Sequence, residues 1–578
     1  MAATYTYPGV YVEEIPSGVR PISGVSTSNT AFIDFFDKGE RNRAERIDSF
    51  GDFERKFGGL HPNSEASYGI QQYFINGGST AFVVRVLHEA DGETAAAATA
   101  DLTAITVTAR SEGTWGNRLA VGVIHHPTDD ALFDLTVREY RGDRLAAVEN
   151  FEGVTTAADA ANNVATVVDE GSTLVTVDVT DDAARPPSAQ VNADQAITDI
   201  EGQITAQEDA IDPLETAVTD ADAAVVAAQD DLDGTDPADD AAVAAAEAVL
   251  AGAVQAAADA QGALAAAQAQ LLALERDLRN ATRAANIDEL DDLGQSILED
   301  LEDGSDGVEP GSEAWRTGAS AAIIDGLAAL DGIAPQVFNI MSIPAAAGLD
   351  AAGNAGVYAE AITFCEQRRA FLIADPPAEL DTHTDVVAWA DAPLSPNAAV
   401  FHPRLELGDA LDANRPREFA SSPTLAGIFA RTDASRGVWK APAGTSATLR
   451  GTRLRLTQLM TDKENGVLNT QGYNALRNFP IYNNISYGAR TLVGSNAEGS
   501  EWKYIPVRRT ALFIEGSLFQ GLKWVVFEPN DEPLWAQIRL NVGAFMHNLY
   551  RKGAFQGCLL YTSPSPRDLS TSRMPSSA

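Results

Sequence analysis

Residues 77–86 read GGSTAFVVRV, and this stretch decides the fold. Gly77 and Gly78 end whatever helix precedes them. Ala81-Phe82-Val83-Val84-Arg85-Val86 then has the length and β-branched content of a buried strand. Upstream, Ala31-Phe32-Ile33 is a second apolar run, and residues 52–57 and 67–75 between the two repeat apolar side chains at helical spacing. Strand, helix, strand in this order is an α/β segment without its remaining strands, so its sheet must be completed from elsewhere in the chain.

The same pattern resumes far downstream. Residues 321–330 read as a helix, 336–343 as a strand ending at Pro344, 357–369 as a helix and 370–374 as a strand ending before Pro376. Alternation of this kind predicts a mostly parallel or mixed sheet covered by helices. What lies between has another character. Over 103–180, alternating runs at 105–107, 119–124, 132–137 and 174–179, with Gly113, Gly116 and Asn117 as turn residues, predict a β-rich insertion. Over 193–300 the chain is alanine-rich and carries a heptad series, Ile197, Ile200, Ile204, Gln207, Ile211, Leu214, Val218, Ala221, Val225, Ala228 and Leu232. After a turn in which Asp236 caps and Pro237 opens a helix, a second series follows at Val243, Leu250, Ala257, Leu264, Leu271 and Leu278. The two read as an antiparallel coiled-coil hairpin with arms on the order of 55 Å long, with a kink or break expected at Pro213.

The expected fold class is therefore α/β (α+β). A discontinuous mixed-sheet core (26–90 and 301–557) carries an inserted β-rich domain (91–192) and an inserted antiparallel helical hairpin (193–300), with an N-terminal arm at 1–25 and a disordered tail at 558–578. At 578 residues and 45% hydrophobic, the chain can bury the three or four cores this requires. It has no run of 18 or more apolar residues and no basic-then-apolar leader, so neither a membrane anchor nor a signal peptide is readable, and folding in the cytoplasm is expected. Cys365 and Cys558 lack the spacing of a disulfide framework or a zinc site.

Charge excludes a further class. With 82 acidic against 41 basic residues the net charge is −41, and nucleic acid, which needs basic surface, is a poor partner. Only seven of the basic residues are lysine. Acidic surface with few lysines resembles halophilic proteins, where about 1 M salt shortens the Debye length to roughly 3 Å and quiets self-repulsion; the alternative is an ordinary acidic protein.

Chemistry is hard to find. No phosphate loop, dinucleotide fingerprint, H-E-x-x-H or G-x-S-x-G motif occurs, so no catalytic, cofactor or metal residue is assigned. His125-His126 beside Asp129 and Asp130 would point to opposite faces of a strand and cannot chelate one ion. His383 lies in a polar stretch read as a loop, and the acidic run 299–306 lacks EF-hand spacing and reads as a solvated loop.

Two segments suggest contacts instead. Residues 1–25 are β-rich but cut by Pro8, Pro16 and Pro21, which predicts an extended arm or edge strand able to reach on the order of 60 Å, or else a strand along its own domain. Residues 531–552 predict an amphipathic helix with Leu534, Ile538, Val542, Met546 and Leu549 inward and Arg539, Asn541, His547 and Arg551 outward.

Several short motifs, each weak alone, occur in an order that resembles the contractile tail sheath family of phages, phage-derived bacteriocins and extracellular injection systems. They are Tyr7-Pro8-Gly9-Val10-Tyr11-Val12-Glu13-Glu14-Ile15; Gly77-Gly78 with the strand at 82–86; Gly113-Thr114-Trp115-Gly116-Asn117; and Ala322-Ile323-Ile324-Asp325-Gly326-Leu327. Further on come Ala430-Arg431-Thr432-Asp433, Arg436-Gly437-Val438-Trp439-Lys440, Gly488-Ala489-Arg490-Thr491-Leu492, Trp502 with Arg508-Arg509, and Phe527-Glu528-Pro529-Asn530. The resemblance covers 5–90 and 315–557 and not the hairpin. It implies a structural, non-enzymatic subunit without cofactor. Copies would stack as hexameric rings around an inner tail tube protein, meet baseplate and tail terminator proteins, and exchange N- and C-terminal arms by strand addition. It also implies a virion tail or extracellular injection particle assembled in the host cytoplasm, with Arg539, Asn541, His547 and Arg551 as candidates for the tube-facing wall. A secreted adhesin-like surface protein is the alternative. From Cys558 the chain departs from the family into a Ser/Pro-rich tail that resembles translated adaptor sequence, so the family's last strands are expected to be missing.

Overall fold

The computed structural model describes residues 21–555, except 127–128, 130, 143, 187–192, 237–239, 291–297, 335–336 and 390–393 and the side chains of 193–199, 240 and 280–290. The arm motif Tyr7 to Ile15, Pro237 and the tail from Cys558 lie outside the described residues. The chain forms two compact units, Met1–Ala95 with Asp306–Ala578, and Ala96–Ser305.

The larger unit is built on an eight-stranded mixed sheet. Its strands are β1 (Thr30–Asp34), β2 (Ala44–Ile47), β3 (Ala81–Arg85), β4 (Ile340–Ser342), β5 (Phe371–Ala374), β6 (Ala398–His402), β7 (Asn474–Phe479) and β8 (Asn483–Ser486), in the order β2-β3-β1-β4-β5-β6-β7-β8. Strands β3 through β7 in this order are parallel, and β2 and β8 are antiparallel edges. Thr30 of β1 lies beside Ile340 of β4, so the early segment does find its missing neighbours in the second half of the chain. Both faces are covered. Ala31, Ile33, Phe82, Val84, Met341, Leu372 and Val400 enter one core, while Phe32, Ala81, Val83, Ile340, Phe371, Ile373, Ala399 and Phe401 enter the other. Alternate residues of β1, β3, β4, β5 and β6 thus meet apolar partners on both faces, which is why these parallel strands read as continuous apolar runs.

The helices named below are α1 (Phe50–Phe57), α2 (Glu65–Asn76), α3 (Ala351–Arg368), α4 (Ser422–Arg436), α5 (Ile505–Gly521) and α6 (Glu532–Arg551). Helices α2 and α4 pack at backbone distance. A Cβ on Gly427 would stand 2.5 Å from the Tyr73 carbonyl oxygen and 2.8 Å from Asn76 Cβ, and one on Gly69 would stand 2.5 Å from Pro423 Cγ. Gly427→Ala is therefore expected to wedge the pair apart and cost about 1–3 kcal/mol, read as a lower urea midpoint; an unchanged midpoint would show that α2 can retreat.

Local differences from the sequence reading have physical causes. Helix α3 starts at Ala351, six residues earlier than expected, because Asp350 caps it by accepting from Gly353 N at 2.7 Å. His383 opens a short helix, His383–Val387, rather than lying in a loop, held by a capping box between Thr382 and Asp385.

In the smaller unit, Thr99–Asp101, Ile105–Ala109 and Val175–Val179 form one antiparallel sheet. Leu119–His125, Phe133–Arg141, Arg144–Val154 and Leu298–Asp300 form another. The acidic run 299–306 is thus not wholly a loop: Leu298 and Leu301 are buried, and their burial draws Glu299 and Asp300 into pairing with Val121 and Ala120. Between Ile204 and Leu232 of the hairpin's first helix, Ala193–Asp233, the nine heptad residues are withdrawn from solvent and all intervening residues are exposed. Gln207 reaches across to the carbonyl of Ala267 at 3.0 Å and Gln270 Oε1 at 3.2 Å in the second helix, Asp240–Leu290. The expected break at Pro213 does not occur. The proline sits on the solvent face, where water can take up the carbonyl it leaves unbonded. One sequence reading needs amending: the helix over Ala241–Arg279 is long and apolar enough, by length and composition, to cross a membrane. Alanine supplies that character without any long run of large apolar residues.

Candidate functional site

In an open α/β sheet, ligands bind beyond the carboxyl ends of the strands where the strand order reverses, often at helix N-termini. Here that point lies between β1 and β4, and the protein fills it with its own carboxylates. Asp34, at the end of β1, accepts from Ala66 N at 2.8 Å and Ser64 Oγ at 3.1 Å at the start of α2, and from Phe35 N at 2.7 Å. Asp375, just past β5, accepts from Ser421 N and Ser422 N at 3.0 Å each at the start of α4, and from Ser422 Oγ, which also meets Ser342 Oγ at 2.7 Å. Burial pushes Asp34 up to about 7 and Asp375 up to about 6, against the hydrogen bonds they accept. Arg404 pairs with Glu65 at 2.7 Å beside them. The arrangement satisfies helix ends internally, with both carboxyls and both serine hydroxyls buried.

Metal chemistry is no better supported. His125 Nε2 lies 2.8 Å from the Pro186 carbonyl. Among the described residues no group of three or more His, Cys, Asp or Glu could hold an ion.

A different site emerges where the described chain begins. Ile22 packs with Ile514 of α5 and with Phe545, Leu549 and Phe555 on and after α6. Val25 N donates to Ser517 Oγ at 3.1 Å, Tyr73 Oη to the Ser28 carbonyl at 3.0 Å, and Arg509 Nη2 to the Thr27 carbonyl at 2.8 Å. Arg509 also grips Asp433 with both Nη atoms, at 3.0 and 2.7 Å; the two side chains are 3% and 2% exposed, and the guanidinium lies 4.9 Å from the Phe429 ring centroid. The root of the arm is therefore tied to α2, α4 and α5 at once.

The remaining motif residues divide by exposure. Gly437, at φ +89°, leaves room for the Trp439 ring, which a Cβ would meet at 2.4 Å; Lys440 Nζ donates to the Ala441 carbonyl at 2.8 Å. Arg490 Nη1 closes its own loop on the Gly494 carbonyl and Asn496 Oδ1, both at 2.9 Å, and Arg508 lies 4.8 Å from the Trp502 ring while donating to Asn397 Oδ1 at 2.7 Å. These residues build the body. Arg436 is exposed, as is the run Phe527 to Asn530, with Phe527 97% exposed.

Helix α6 buries Leu534, Phe545 and Leu549 and exposes Arg539, His547 and Arg551. Asn541, expected to face outward, is instead 1% exposed, and neither of its amide atoms has a partner among the described residues. Its place three residues after Ile538 and four before Phe545 puts it in the middle of the inward stripe.

Sequence reasoning missed Thr27, Ser517 and Tyr73. No local pattern marks a residue whose partner is 482 positions away.

No family model matches this chain. A curated relative, a prophage major tail sheath protein of Pseudomonas aeruginosa (strain UCBPP-PA14), is 27% identical over 206 residues, covering 34% of this chain and 50% of that protein. The chain thus matches about half the length of that relative. The sheath tail protein of Listeria innocua superposes with a TM-score of 0.53 at 13% identity, over 93% of this chain and 88% of that one. The sheath tail protein of Desulfitobacterium hafniense superposes with a TM-score of 0.50 at 11% identity, over 95% and 91%. At these identities the likeness is one of fold.

Proposed function

We propose that this chain is the subunit of a contractile tail sheath, a non-enzymatic part that polymerises as hexameric rings around an inner tube and shortens to drive the tube through a cell envelope. The observation that carries the reading is the fold it shares, over nearly its whole length, with two sheath tail proteins. Two features of the chain itself support it. The position where α/β folds take ligands is stoppered from within, and the elaborate side-chain ties lie at the root of a terminal segment instead.

Charge supports a division of labour. Residues 96–305 hold 42 acidic and nine basic residues, a net of −33, which leaves −8 for the rest of the chain. Pressing such like charge together is unfavourable wherever salt does not screen it, which favours inter-copy contacts made by the larger unit and an acidic unit, with its coiled-coil hairpin, left to solvent. Strand addition by the arms at 1–25 ties neighbours without fixing their angle, which permits contraction as a collective rotation. Arg539, His547 and Arg551, exposed on one helix, suit the tube-facing wall, and the exposed run from Phe527 suits a partner such as the baseplate. A virion tail or extracellular particle assembled in host cytoplasm, in a medium salty enough to screen the acidic unit, fits the composition.

Negative-stain microscopy at about 1 M salt is expected to show hollow tubes or stacked rings, and deleting residues 1–20 to abolish them with the monomer's melting temperature unchanged. Single particles at every salt concentration, also when the stretch after residue 557 is replaced by the C-terminal strands of a sheath tail protein, would overturn the reading.

A further inference from the structure

Residues 22–28 are held in an unusual way. Main-chain pairing with the sheet begins only at Asn29, whose carbonyl accepts from Asn339 N and Ile340 N at 2.8 and 3.1 Å. Ahead of it, the carbonyls of Thr27 and Ser28 and the N–H of Val25 are all taken by side chains from α2 and α5. Asn29 adds its own side chain, donating to the Val337 carbonyl at 2.9 Å. The Phe513 ring closes on Gly24, where a Cβ would stand 2.8 Å from it.

The most costly of these ties is the ion pair. Taking Arg509 and Asp433 out of water costs several kcal/mol per ion, and two apolar side chains of the same volume would fill the space at no loss of stability. What apolar side chains could not do is donate to the Thr27 carbonyl. A bidentate guanidinium locked on a carboxylate and seated on a ring has little rotational freedom left, so the second N–H of Nη2, the one that meets Thr27, points one way.

We propose that Arg509 and Asp433 are positioning residues for the N-terminal arm: the pair holds the Thr27 carbonyl and so fixes where and in which direction the chain leaves the body. The chain is thereby fixed from Ile22 onward, ahead of β1. Every copy then presents its arm from the same point at the same angle, as regular polymerisation requires. The assembly consequence rests on the sheath reading; the clamp itself does not.

The test separates the two. In the double variant Arg509→Met with Asp433→Leu, the melting temperature of the monomer is expected to stay level or rise. Amide exchange of residues 22–28 is expected to quicken by about tenfold or more, with β1 unchanged and polymer yield falling. Arg509→Lys, which keeps the charge but lacks the fork, is expected to give the same local exchange with a smaller amplitude, and serves if the double variant does not fold. Unchanged exchange over 22–28 in a folded variant overturns the clamp, whatever the polymer does. Faster exchange in the variant, beside a wild type that forms no polymer under any condition, upholds the clamp and sinks the sheath reading.

Discussion

Asp433→Ala alone is expected to destabilise the larger unit by about 3–5 kcal/mol, the cost of leaving one member of a buried pair without its counter-charge. The stranded group would be the Arg509 guanidinium, 3% exposed, with the Thr27 carbonyl and the Phe429 ring as its remaining neighbours. Arg509→Met should cost a similar amount, since it leaves the Asp433 carboxyl in a place where burial already holds its pKa above the usual carboxylate range. The double change to Met and Leu removes both charges and fills both volumes. Its loss is expected to be far smaller than the sum of the single losses, a coupling between residues that touch. Urea unfolding of the four proteins measures this directly. Single losses below about 1 kcal/mol, typical of exposed pairs, would mean that water reaches the pair.

That contrast also shows how much of this molecule is legible in its sequence. Strands β1, β3 and β5 announce themselves because both faces are buried, so that Phe32 and Ile33, or Val83 and Val84, are apolar in succession. The edge strand β2, Ala44-Glu45-Arg46-Ile47, has one buried residue and cannot be told from a loop without β3 beside it. The strand Arg144–Val154 hides for the same reason, with Leu145 and Val148 both more than 40% exposed. The first helix of the hairpin is fully readable from its heptads because a two-helix seam is a local code, repeated every seven residues. Its proline misleads, because the cost of Pro213 depends on which way it faces.

The candidate site divides along the same line. Arg509 and Asp433 stand in recognisable motifs, but their pairing closes across 76 residues and their joint grip on Thr27 across 482. Asn541 misleads because polarity outvoted position: an asparagine reads as an outward residue, while the helical period places it inward. At that buried amide of α6 local chemistry and fold disagree.

The second large effect concerns pH, and its sign runs against habit. A carboxyl whose pKa is raised on folding keeps its proton in the folded chain after the unfolded chain has lost it. The folded state is therefore favoured in acid and loses that advantage as pH climbs. For Asp34 the window runs from an ordinary 3.8 to about 7, and for Asp375 from 3.8 to about 6. Moving one carboxyl over the wider window corresponds to roughly 4 kcal/mol. The larger unit is expected to melt at a higher temperature at pH 5 than at pH 7.5. Carboxyls whose pKa is lowered on folding, such as Asp409 beside Tyr68 and Arg417, work the other way. Their effect falls in more acid solution, below the usual 3.8. Within the interval Asp433, also raised by burial, adds to the trend, and His88 and His402, whose pKa burial lowers from 6.5, oppose it. Asp34→Asn isolates the dominant contribution. The amide oxygen in the place of Oδ2 keeps Ala66 N and Ser64 Oγ, the amide nitrogen in the place of Oδ1 gives up the bond from Phe35 N, and no proton is left to lose. Its melting temperature should vary much less between pH 5 and 7.5 than the wild type's, whatever the constant offset from the bond lost at Phe35. Parallel curves would mean that Asp34 is ionised throughout, its three hydrogen bonds outweighing its burial, and that helix α2 is anchored by a true carboxylate.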